Sequence, residues 1–292
     1  MRLAVAVLFL NEEEHLPTLL ASIARQTRLP DRLLLVDDGS DDGSPEIAQR
    51  FASEHAYAAV LRRPRQPREA DRLAAAKELV AFQWAVEQLP DDVDVIAKLD
   101  GDLQLTPRFF EAIVGALESD PGLGIGGAAL SVPTQNGGTA PEGSARWHVR
   151  GATKFYRREC WEQISPLPAI LGWDTIDEAR ARLRGWRVEP VEVQGGNSLH
   201  LRPTGSYDGA MRGFRRRGVA AWAYGAHPLN VLGSAVIRMR EQPRVLGGLA
   251  YAQGWLGAAK RRDPRAEPEV LRYVRREQLE RIGRRVARGA RA

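Results

Sequence analysis

The chain has 292 residues, of which 43% are hydrophobic and 27% are charged, a composition that suits a globular protein with a large core and excludes a disordered chain. Its one cysteine, Cys160, excludes an internal disulfide framework and a multi-cysteine metal site, and it favours a reducing, cytoplasmic compartment. The net charge of +5 conceals an asymmetry, because residues 1–200 hold 22 basic and 30 acidic side chains (net −8), whereas residues 201–292 hold 20 and 7 (net +13). This asymmetry predicts different partners for the two parts.

The first hundred residues alternate strand-like and helix-like segments. The predicted strands are the apolar runs Leu3–Phe9, Arg32–Val36, Tyr57–Leu61 and Val93–Leu99, and the predicted helices are Glu13–Gln26, Glu46–Ser53 and Glu69–Gln88. The first run is short and meets three glutamates, so it indicates a buried strand rather than a signal peptide. Such alternation implies parallel strands with right-handed crossovers, and hence an α/β sheet covered on both faces.

The pattern becomes mixed after Pro107 and helical after His200. The predicted elements are helices at Arg108–Glu118 and Asp174–Leu183, strands at Gly124–Val132 and Gly151–Tyr156, and a Gly/Pro-rich loop at Pro133–Ser144. Two uncharged stretches follow, Gly218–Ile237 and Val245–Ala259. Neither predicts a transmembrane helix, because His227-Pro228 interrupts the first and the second is too short.

These observations divide the chain into a domain over residues 1–205 and a basic helical extension over residues 206–292. Ordinary solvated helices would explain the basic charge of the extension. Contact with an anionic membrane or an anionic lipid-linked substrate would explain it too, together with the aromatic residues Trp222, Tyr224, Tyr251 and Trp255. Nucleic acid is disfavoured as a partner, because no recognition motif accompanies the charge.

Acidic residues follow three of the predicted strands. They are Asn11-Glu12 after the first strand, Asp37-Asp38 after the second and Asp100-Gly101-Asp102 after the fourth. The carboxyl ends of parallel strands are where open α/β sheets bind ligands. Clustered carboxylates repel one another unless a cation or a donor-rich ligand compensates them. We therefore expect a ligand site at this edge of the sheet.

The Asp100-Gly101-Asp102 segment carries the most chemical information. Two carboxylates separated by one glycine can converge on one hard cation, and Mg²⁺ or Mn²⁺ typically binds one or two carboxylates together with substrate phosphates. Such an ion would clamp a diphosphate and stabilise it as a leaving group. The structural alternative is an acidic turn after a strand, since Asp-Gly is a strong turn former.

Three segments of the sequence resemble a known family. The opening of family 2 glycosyltransferases resembles VAVLFLNEEEHLPTLLASIARQ together with RLLLVDDGSDDGSPEIAQRFA. The metal-binding segment of that family resembles DVIAKLDGDLQLTPRFFEAI. Its acceptor-side strand, catalytic carboxylate and following helix resemble GATKFYRRECWEQI together with GWDTIDEARARLRGWRV. The resemblance covers about residues 1–200. It implies the GT-A fold (Rossmann-like, nucleotide-diphosphosugar transferase), which is a three-layer α/β sandwich with a mostly parallel central sheet, followed here by the C-terminal helical extension.

The resemblance assigns roles at the strand ends. It implies that Asp38 holds the base of a nucleotide-diphosphosugar donor, that Asn11 and Glu12 lie near the base or ribose, and that Asp100 and Asp102 contact the ribose and the metal. The family usually has an aromatic residue just before the Asn, where Leu10 stands here. The choice between uracil, guanine and thymine therefore stays open.

The resemblance also implies a general base. The family places it in a Glu-Asp pair eleven residues ahead of a Gly-aromatic pair; here Trp173-Asp174 precedes Gly185-Trp186 at that spacing. Asp174 is the predicted base, which removes the proton of the acceptor hydroxyl, and Asp177 is the runner-up. Asp174 also suits the start of a helix, and both roles can hold together.

Several other residues are candidates for binding, each with a structural alternative. His200 is a candidate third metal ligand or diphosphate contact, although a lone histidine is more often structural. Arg202, Lys77 and Arg72 are candidates for the diphosphate, or ordinary surface cations. Trp147, His148 and Arg150 could line the acceptor site, and Trp173 could stack on a sugar or lie in the core.

The combined interpretation is an enzyme that transfers a sugar by a metal-assisted, inverting displacement. The acceptor is the hydroxyl of a saccharide or lipid-linked saccharide. The enzyme is expected to lie peripherally on the inner membrane face through its C-terminal helices. A sugar nucleotidyltransferase is disfavoured, because NEEEH stands where a Gly-rich, Arg-containing loop would bind triphosphate. A Rossmann dehydrogenase is disfavoured, because no G-x-G-x-x-G follows the first strand. A catalytically degenerate relative that binds nucleotide or scaffolds a membrane-associated polysaccharide assembly stays open, given Leu10 and Trp173.

Overall fold

The computed structural model describes residues 1–64, 71, 73, 75–134, 136–142, 147–202 and 209–289, with residues 285–289 described by their backbone alone. These residues divide into two compact units. The sheet unit comprises Met1–Ala70, Lys77–Pro166 and Arg184–Pro203, and the helical unit comprises Asp71–Ala76, Leu167–Leu183 and Thr204–Ala292.

The described strands belong to the sheet unit. They are β1 (Leu3–Phe9), β2 (Arg32–Asp37), β3 (Ala58–Arg62), β4 (Val95–Asp100), β5 (Leu103–Gln104), β6 (Leu123–Ala128), β7 (Leu130–Pro133), β8 (Thr139–Pro141), β9 (Thr153–Arg157), β10 (Arg187–Val191) and β11 (Ser198–His200). The helices of this unit are α1 (Leu16–Ala24), α2 (Ser44–Glu54), α3 (Lys77–Val86), α4 (Phe109–Ser119) and α5 (Arg158–Ile164). Those of the helical unit are α6 (Trp173–Leu183), α7 (Ala210–Ala223), α8 (Pro228–Arg238), α9 (Leu246–Arg261) and α10 (Pro268–Gly289).

A seven-stranded central sheet has the order β10-β6-β9-β4-β1-β2-β3. The pairs β1–β2, β1–β4, β2–β3 and β6–β10 are parallel, whereas β9 is antiparallel to both of its neighbours. Every residue of β1 is buried, which explains why this strand reads as a continuous apolar run rather than an alternating one. The predicted α/β fold with a mostly parallel sheet is confirmed.

Helices pack on both faces of the central sheet. On one face, Leu3, Val5 and Val7 belong to a core cluster with residues of α1 and α4. On the other, Phe82 of α3 and Trp161 of α5 stack with Tyr156 of β9, with ring centroids 4.9–5.9 Å apart. The helices on both faces make the three-layer arrangement that the sequence predicts.

A second, four-stranded sheet of order β5-β11-β7-β8 corrects two predictions. The predicted single strand Gly124–Val132 is wrong, because the chain forms β6 and β7, which lie in different sheets. The predicted loop at Pro133–Ser144 contains β8, which pairs antiparallel with β7. Both misreadings come from glycine and proline, which break the periodicity from which strands are recognised. The predicted helix Glu69–Gln88 begins, among its described residues, only at Lys77.

The helical unit is organised by close helix contacts. Ile176 and Ala179 of α6 pack against Val270 and Val274 of α10. Helices α7 and α9 approach at glycines: a Cβ atom added to Gly218 would lie 2.0 Å from the carbonyl oxygen of Tyr251. Throughout the described part of the chain, no helix is long and apolar enough to cross a membrane.

We predict that Gly254→Ala lowers the free energy of unfolding of the helical unit by about 1–3 kcal/mol, because the added methyl group overpacks the α7–α9 contact. A Cβ atom at position 254 of α9 would lie 2.1 Å from the carbonyl oxygen of Arg215 in α7. The matched control is Gly233→Ala in α8, where the space around the Cβ position is open and the higher helix propensity of alanine stabilises by up to about 1 kcal/mol. Urea denaturation followed by circular dichroism measures both. Equal effects would contradict the prediction.

Candidate active site

Asn11 ties the loop after β1 to the turn after β2. Its backbone is left-handed, with φ of 54°, a conformation that asparagine tolerates better than most residues. Its side-chain oxygen accepts a hydrogen bond from the Asp41 amide (2.9 Å), and its side-chain nitrogen donates to the Asp41 carboxylate (2.8 Å). The side chain thus holds these two segments together.

Two buried aspartates end β2, and each has an arginine partner from the end of β3. Asp37 accepts hydrogen bonds from the Ser40 amide (2.8 Å) and from Arg62 (3.2 Å). Asp38 forms a buried ion pair with Arg63. Arg63 is a residue that sequence reasoning missed, because a single arginine at a strand end gives no pattern. The predicted nucleoside contact Asp38 is therefore held by a cation.

Lys98 supports the first aspartate of the Asp100-Gly101-Asp102 segment from within β4. This lysine side chain is only 1% exposed. Its ammonium group donates to the Asp100 carboxylate and to the carbonyl oxygen of Gly151, the latter at 2.8 Å. A buried lysine requires such partners, so Lys98 and Asp100 fix each other. The Asp100 side chain is 33% exposed, which leaves this carboxylate accessible.

Pairing between β5 and β11 brings His200 to Asp102. The two strands are antiparallel, with His200 opposite Leu103, and the Leu201 amide donates to the Asp102 carbonyl oxygen at 2.8 Å. The His200 Nε2 atom lies 3.3 Å from the Asp102 carboxylate. In the described part of the chain, Asp100, Asp102 and His200 form the group that could hold a metal ion, with ligand atoms within 4.8 Å of one another.

Glu142 and Arg150 lie behind His200. Glu142 accepts a hydrogen bond from the His200 Nδ1 atom (2.9 Å) and another from Arg150 (2.9 Å). A carboxylate on one imidazole nitrogen fixes the ring orientation and directs the other nitrogen toward a metal ion. Sequence reasoning missed Glu142, which lies at the end of the segment predicted as a loop. Arg150, a candidate for the acceptor site, contacts the carboxylate that holds His200.

Arg202 connects the first strand end to the metal group. Its guanidinium contacts the Glu12 carboxylate and lies 3.3 Å from that of Asp102. Burial raises the pKa of Glu12 to about 7, although the positive charge of Arg202 acts to lower this pKa. Arg202 is one-third exposed, so its guanidinium is accessible to an anion, for which it is well suited.

The acidic surroundings set the protonation of His200. Burial alone would lower its pKa, but the hydrogen bonds to Asp102 and Glu142 outweigh this effect and raise the pKa to about 10. Burial likewise opposes ionisation of Asp102, yet His200 and Arg202 hold the pKa of this carboxyl below its usual value. The imidazolium thus compensates the carboxylates in the way that a metal ion could.

The donor set fits a hard divalent cation. Two carboxylates and an imidazole suit Mn²⁺ or Mg²⁺, with further positions left for phosphate or water. Arg202 adds a positive charge beside them. Such an arrangement can bind a diphosphate and neutralise the negative charge that builds on it as a bond to it breaks.

The predicted general base and its runner-up lie in the helical unit. Asp174 occupies the first turn of α6 and is partly exposed, whereas Asp177, one turn later, is fully buried. The Asp177 carboxylate accepts a hydrogen bond from the Glu178 amide at 2.6 Å. Trp173 is buried, in line with the core alternative for this residue.

Three of the remaining candidates, Trp147, His148 and Lys77, lie in the sheet unit. Trp147 is exposed and meets His148 edge-on, with ring centroids 6.3 Å apart. Lys77 is the first residue of α3 and is half-buried. Arg72 lies outside the described residues. None of these three side chains belongs to the Asp100, Asp102 and His200 group.

Comparison with known families gives one match over more than half of the chain. The family profile described as "Glycosyl transferase family 2" matches residues 4–166. This range includes the strand ends from Asn11 to Asp102 and Glu142. Asp174, His200 and Arg202 follow it in the sequence.

Curated relatives and solved structures resemble the chain over different lengths. Glycosyltransferase AglE of Haloferax volcanii is 26% identical over 61% of this chain and 60% of that protein. Undecaprenyl-phosphate 4-deoxy-4-formamido-L-arabinose transferase of Pectobacterium carotovorum is 34% identical over 38% of this chain and 32% of that protein. The chain thus spans less than two thirds of either relative. The mannosyltransferase PcManGT from Pyrobaculum calidifontis, solved with GDP-Man and Mn²⁺, shares the fold with a TM-score of 0.56, at 16% identity over 98% of this chain and 80% of that one.

We predict that Glu142→Ala weakens Mn²⁺ binding by about 10- to 100-fold, because the His200 ring loses the carboxylate that orients it. The matched control is Glu54→Ala, which removes an exposed carboxylate at the end of α2 and should leave the affinity unchanged. Isothermal titration with Mn²⁺ measures both, and circular dichroism verifies folding. A folded Glu142→Ala variant with wild-type affinity would exclude His200 as an oriented ligand.

Proposed function

The chain belongs to glycosyl transferase family 2, and on this premise we propose that it transfers a sugar from a nucleotide-diphosphate donor to an acceptor hydroxyl. One observation carries the proposal: Asp100, Asp102 and His200 can share a cation, and Arg202 lies beside Asp102. The shared cation and the Arg202 guanidinium would both stabilise the negative charge that a diphosphate gains as it leaves.

Mg²⁺ or Mn²⁺ is the proposed cofactor, held by Asp100, Asp102 and His200. When bound, the ion supplies Lewis-acid stabilisation of the leaving diphosphate. Glu142 keeps the imidazole in place, and Lys98 keeps Asp100 in place. Arg202 would contact the diphosphate directly, and Lys77 is a second candidate for that contact.

The nucleoside is proposed to lie against the first two strand ends. Asp38 would bind the base, and Asn11 and Glu12 would lie near the base or ribose, with Asp100 also contacting the ribose. Arg63 holds Asp38, and the Asn11–Asp41 contacts hold the loop. These contacts support a preorganised pocket, in which little conformational entropy is lost when the nucleoside binds.

Asp174 is the proposed general base, and its partial exposure supports it over the fully buried Asp177. As the acceptor oxygen bonds to the anomeric carbon, its proton passes to the Asp174 carboxylate. The bond between the anomeric carbon and the diphosphate oxygen breaks, and the nucleoside diphosphate leaves with that electron pair. A single displacement of this kind inverts the anomeric configuration.

The proposed acceptor is a saccharide or lipid-linked saccharide. The Pectobacterium relative is named for a transfer involving undecaprenyl phosphate, which supports a lipid component in the acceptor. Trp147, His148, Arg150 and Trp173 remain the proposed acceptor-side residues. Residues 1–205 would carry catalysis, and the basic residues 206–292 would contact an anionic membrane, so that the enzyme lies peripherally on the cytoplasmic face of the inner membrane.

We predict that Asp102→Asn and Asp174→Asn each lower donor turnover by about 10²–10⁴-fold, the range for positioned proton transfer and for loss of leaving-group stabilisation. The control is Asp91→Asn, whose side chain is fully exposed and which should keep wild-type activity. The measurement is release of nucleoside diphosphate from a panel of UDP-, GDP- and dTDP-sugars with Mn²⁺ or Mg²⁺. Wild-type turnover in either of the first two variants would refute that residue's role.

A binding measurement separates the two carboxylates and tests the non-catalytic alternative. One nucleoside diphosphate should raise the melting temperature of the wild type in the presence of Mn²⁺ by ligand linkage. Asp174→Asn should keep this shift, whereas Asp102→Asn should lose most of it. A shift in the wild type with no donor consumption, even with saccharide acceptors, would indicate a protein that binds nucleotide without transferring a sugar.

A further inference from the structure

Two helices of the helical unit present apolar side chains to solvent. On α8 they include Leu229, Leu232 and Val236, and on α9 they include Leu246, Leu249 and Leu256, each 49–64% exposed. We call this set the leucine face. Within each helix the members recur at intervals of three, four or seven residues, so they form one stripe. Other faces of the two helices are buried, with Val231 and Ala235 on α8 and Tyr251 and Ala258 on α9.

The two stripes lie on the same side of the helix pair. A Cβ atom added to Gly248, near the start of α9, would lie 2.4 Å from the carbonyl oxygen of Ala235, near the end of α8. Val231 and Tyr251, which lie further from the connecting loop, share a core cluster. The helices are therefore antiparallel. Looking along each helix from its first residue to its last, one turns in the same direction to go from the side that contacts the partner helix to the apolar stripe. Because the two helices are antiparallel, equal turns bring both stripes to the same side of the pair.

The charges around the leucine face are almost all positive. Residues 228–262 contain six basic side chains and one acidic one, Glu241. The cations lie at the two ends of the stripes and are exposed: Arg240 and Arg244 near the loop between the helices, and Lys260 and Arg262 at the end of α9. Between the last two, Arg261 is paired with Asp263. A second copy of the chain laid on this face would bring like charges together, whereas an anionic surface would complement them.

We propose that the leucine face docks on an anionic lipid bilayer, with α8 and α9 lying in the plane of the interface. The inference rests on the proposed function and identifies the surface through which the membrane contact is made. Apolar side chains enter the boundary between headgroups and acyl chains, and the cations at both ends contact anionic headgroups. Of the aromatic residues, Tyr251 is buried, with 2% of its surface exposed, whereas the partly exposed Trp222 and Trp255 pack edge-on against each other with ring centroids 5.9 Å apart.

The test is sedimentation of the full chain with vesicles of phosphatidylglycerol and phosphatidylcholine. The wild type should bind at low salt and bind more weakly as salt screens the charges. The Leu232→Ser/Leu249→Ser variant should need about tenfold more lipid for half-maximal binding, because two apolar anchors are lost. The matched control is Leu29→Ser/Leu279→Ser, which removes two exposed leucines outside the leucine face and should bind as the wild type does.

Three results would overturn the proposal: no sedimentation of the wild type at low salt, equal binding by the two double variants, or undiminished binding to vesicles of phosphatidylcholine alone. A concentration-dependent dimer that only Leu232→Ser/Leu249→Ser abolishes, without vesicle binding, would assign the face to a second copy. Release of nucleoside diphosphate in vesicle-free solution is measured on the same variants. Normal release with lost vesicle binding isolates the docking surface, whereas absent release in the wild type refutes the proposed function.

Discussion

Repulsion between carboxylates is the constraint around which the sheet unit is organised. Four acidic side chains lie at the carboxyl ends of β1, β2 and β4, and each contacts a basic side chain. The pairs are Glu12 with Arg202, Asp38 with Arg63, Asp100 with Lys98, and Asp102 with His200. In the two pairs whose members are both buried, Asp38 with Arg63 and Asp102 with His200, removing one partner typically costs about 3–5 kcal/mol. The cations are therefore part of the folded framework as well as of the candidate site.

The same pairing sets the charge of the proposed metal site. Hydrogen bonds to Asp102 and Glu142 raise the pKa of His200 to about 10, so a positive charge on this residue offsets the carboxylates around it. A ligand that brings both an ion and a diphosphate keeps the local charge nearly balanced. Arg202, which is shared between Glu12 and Asp102, is the protein's own positive group beside that diphosphate.

Much of the fold and part of the site could be predicted from the sequence. Strands β1, β2 and β4 were recognisable because burial on both faces leaves runs of mostly apolar residues. Asp100 and Asp102 were recognisable because they directly follow such a run. The strand β5, with two residues, is too short to have a period, and it is this strand that pairs with β11 and brings His200 to Asp102. Arg63, Lys98 and Glu142 were missed because one charged residue among many has no pattern until the fold gives it a partner.

The position of β11 in the chain has a consequence for how the protein can be divided. The family profile ends at residue 166, yet β11 returns to the sheet unit from more than thirty residues further along and delivers His200 and Arg202. A fragment cut at the profile boundary would retain Glu12 and Asp102 while losing the cations that neutralise them. The segment matched by the profile therefore depends on the later chain for the basic residues that contact Glu12 and Asp102.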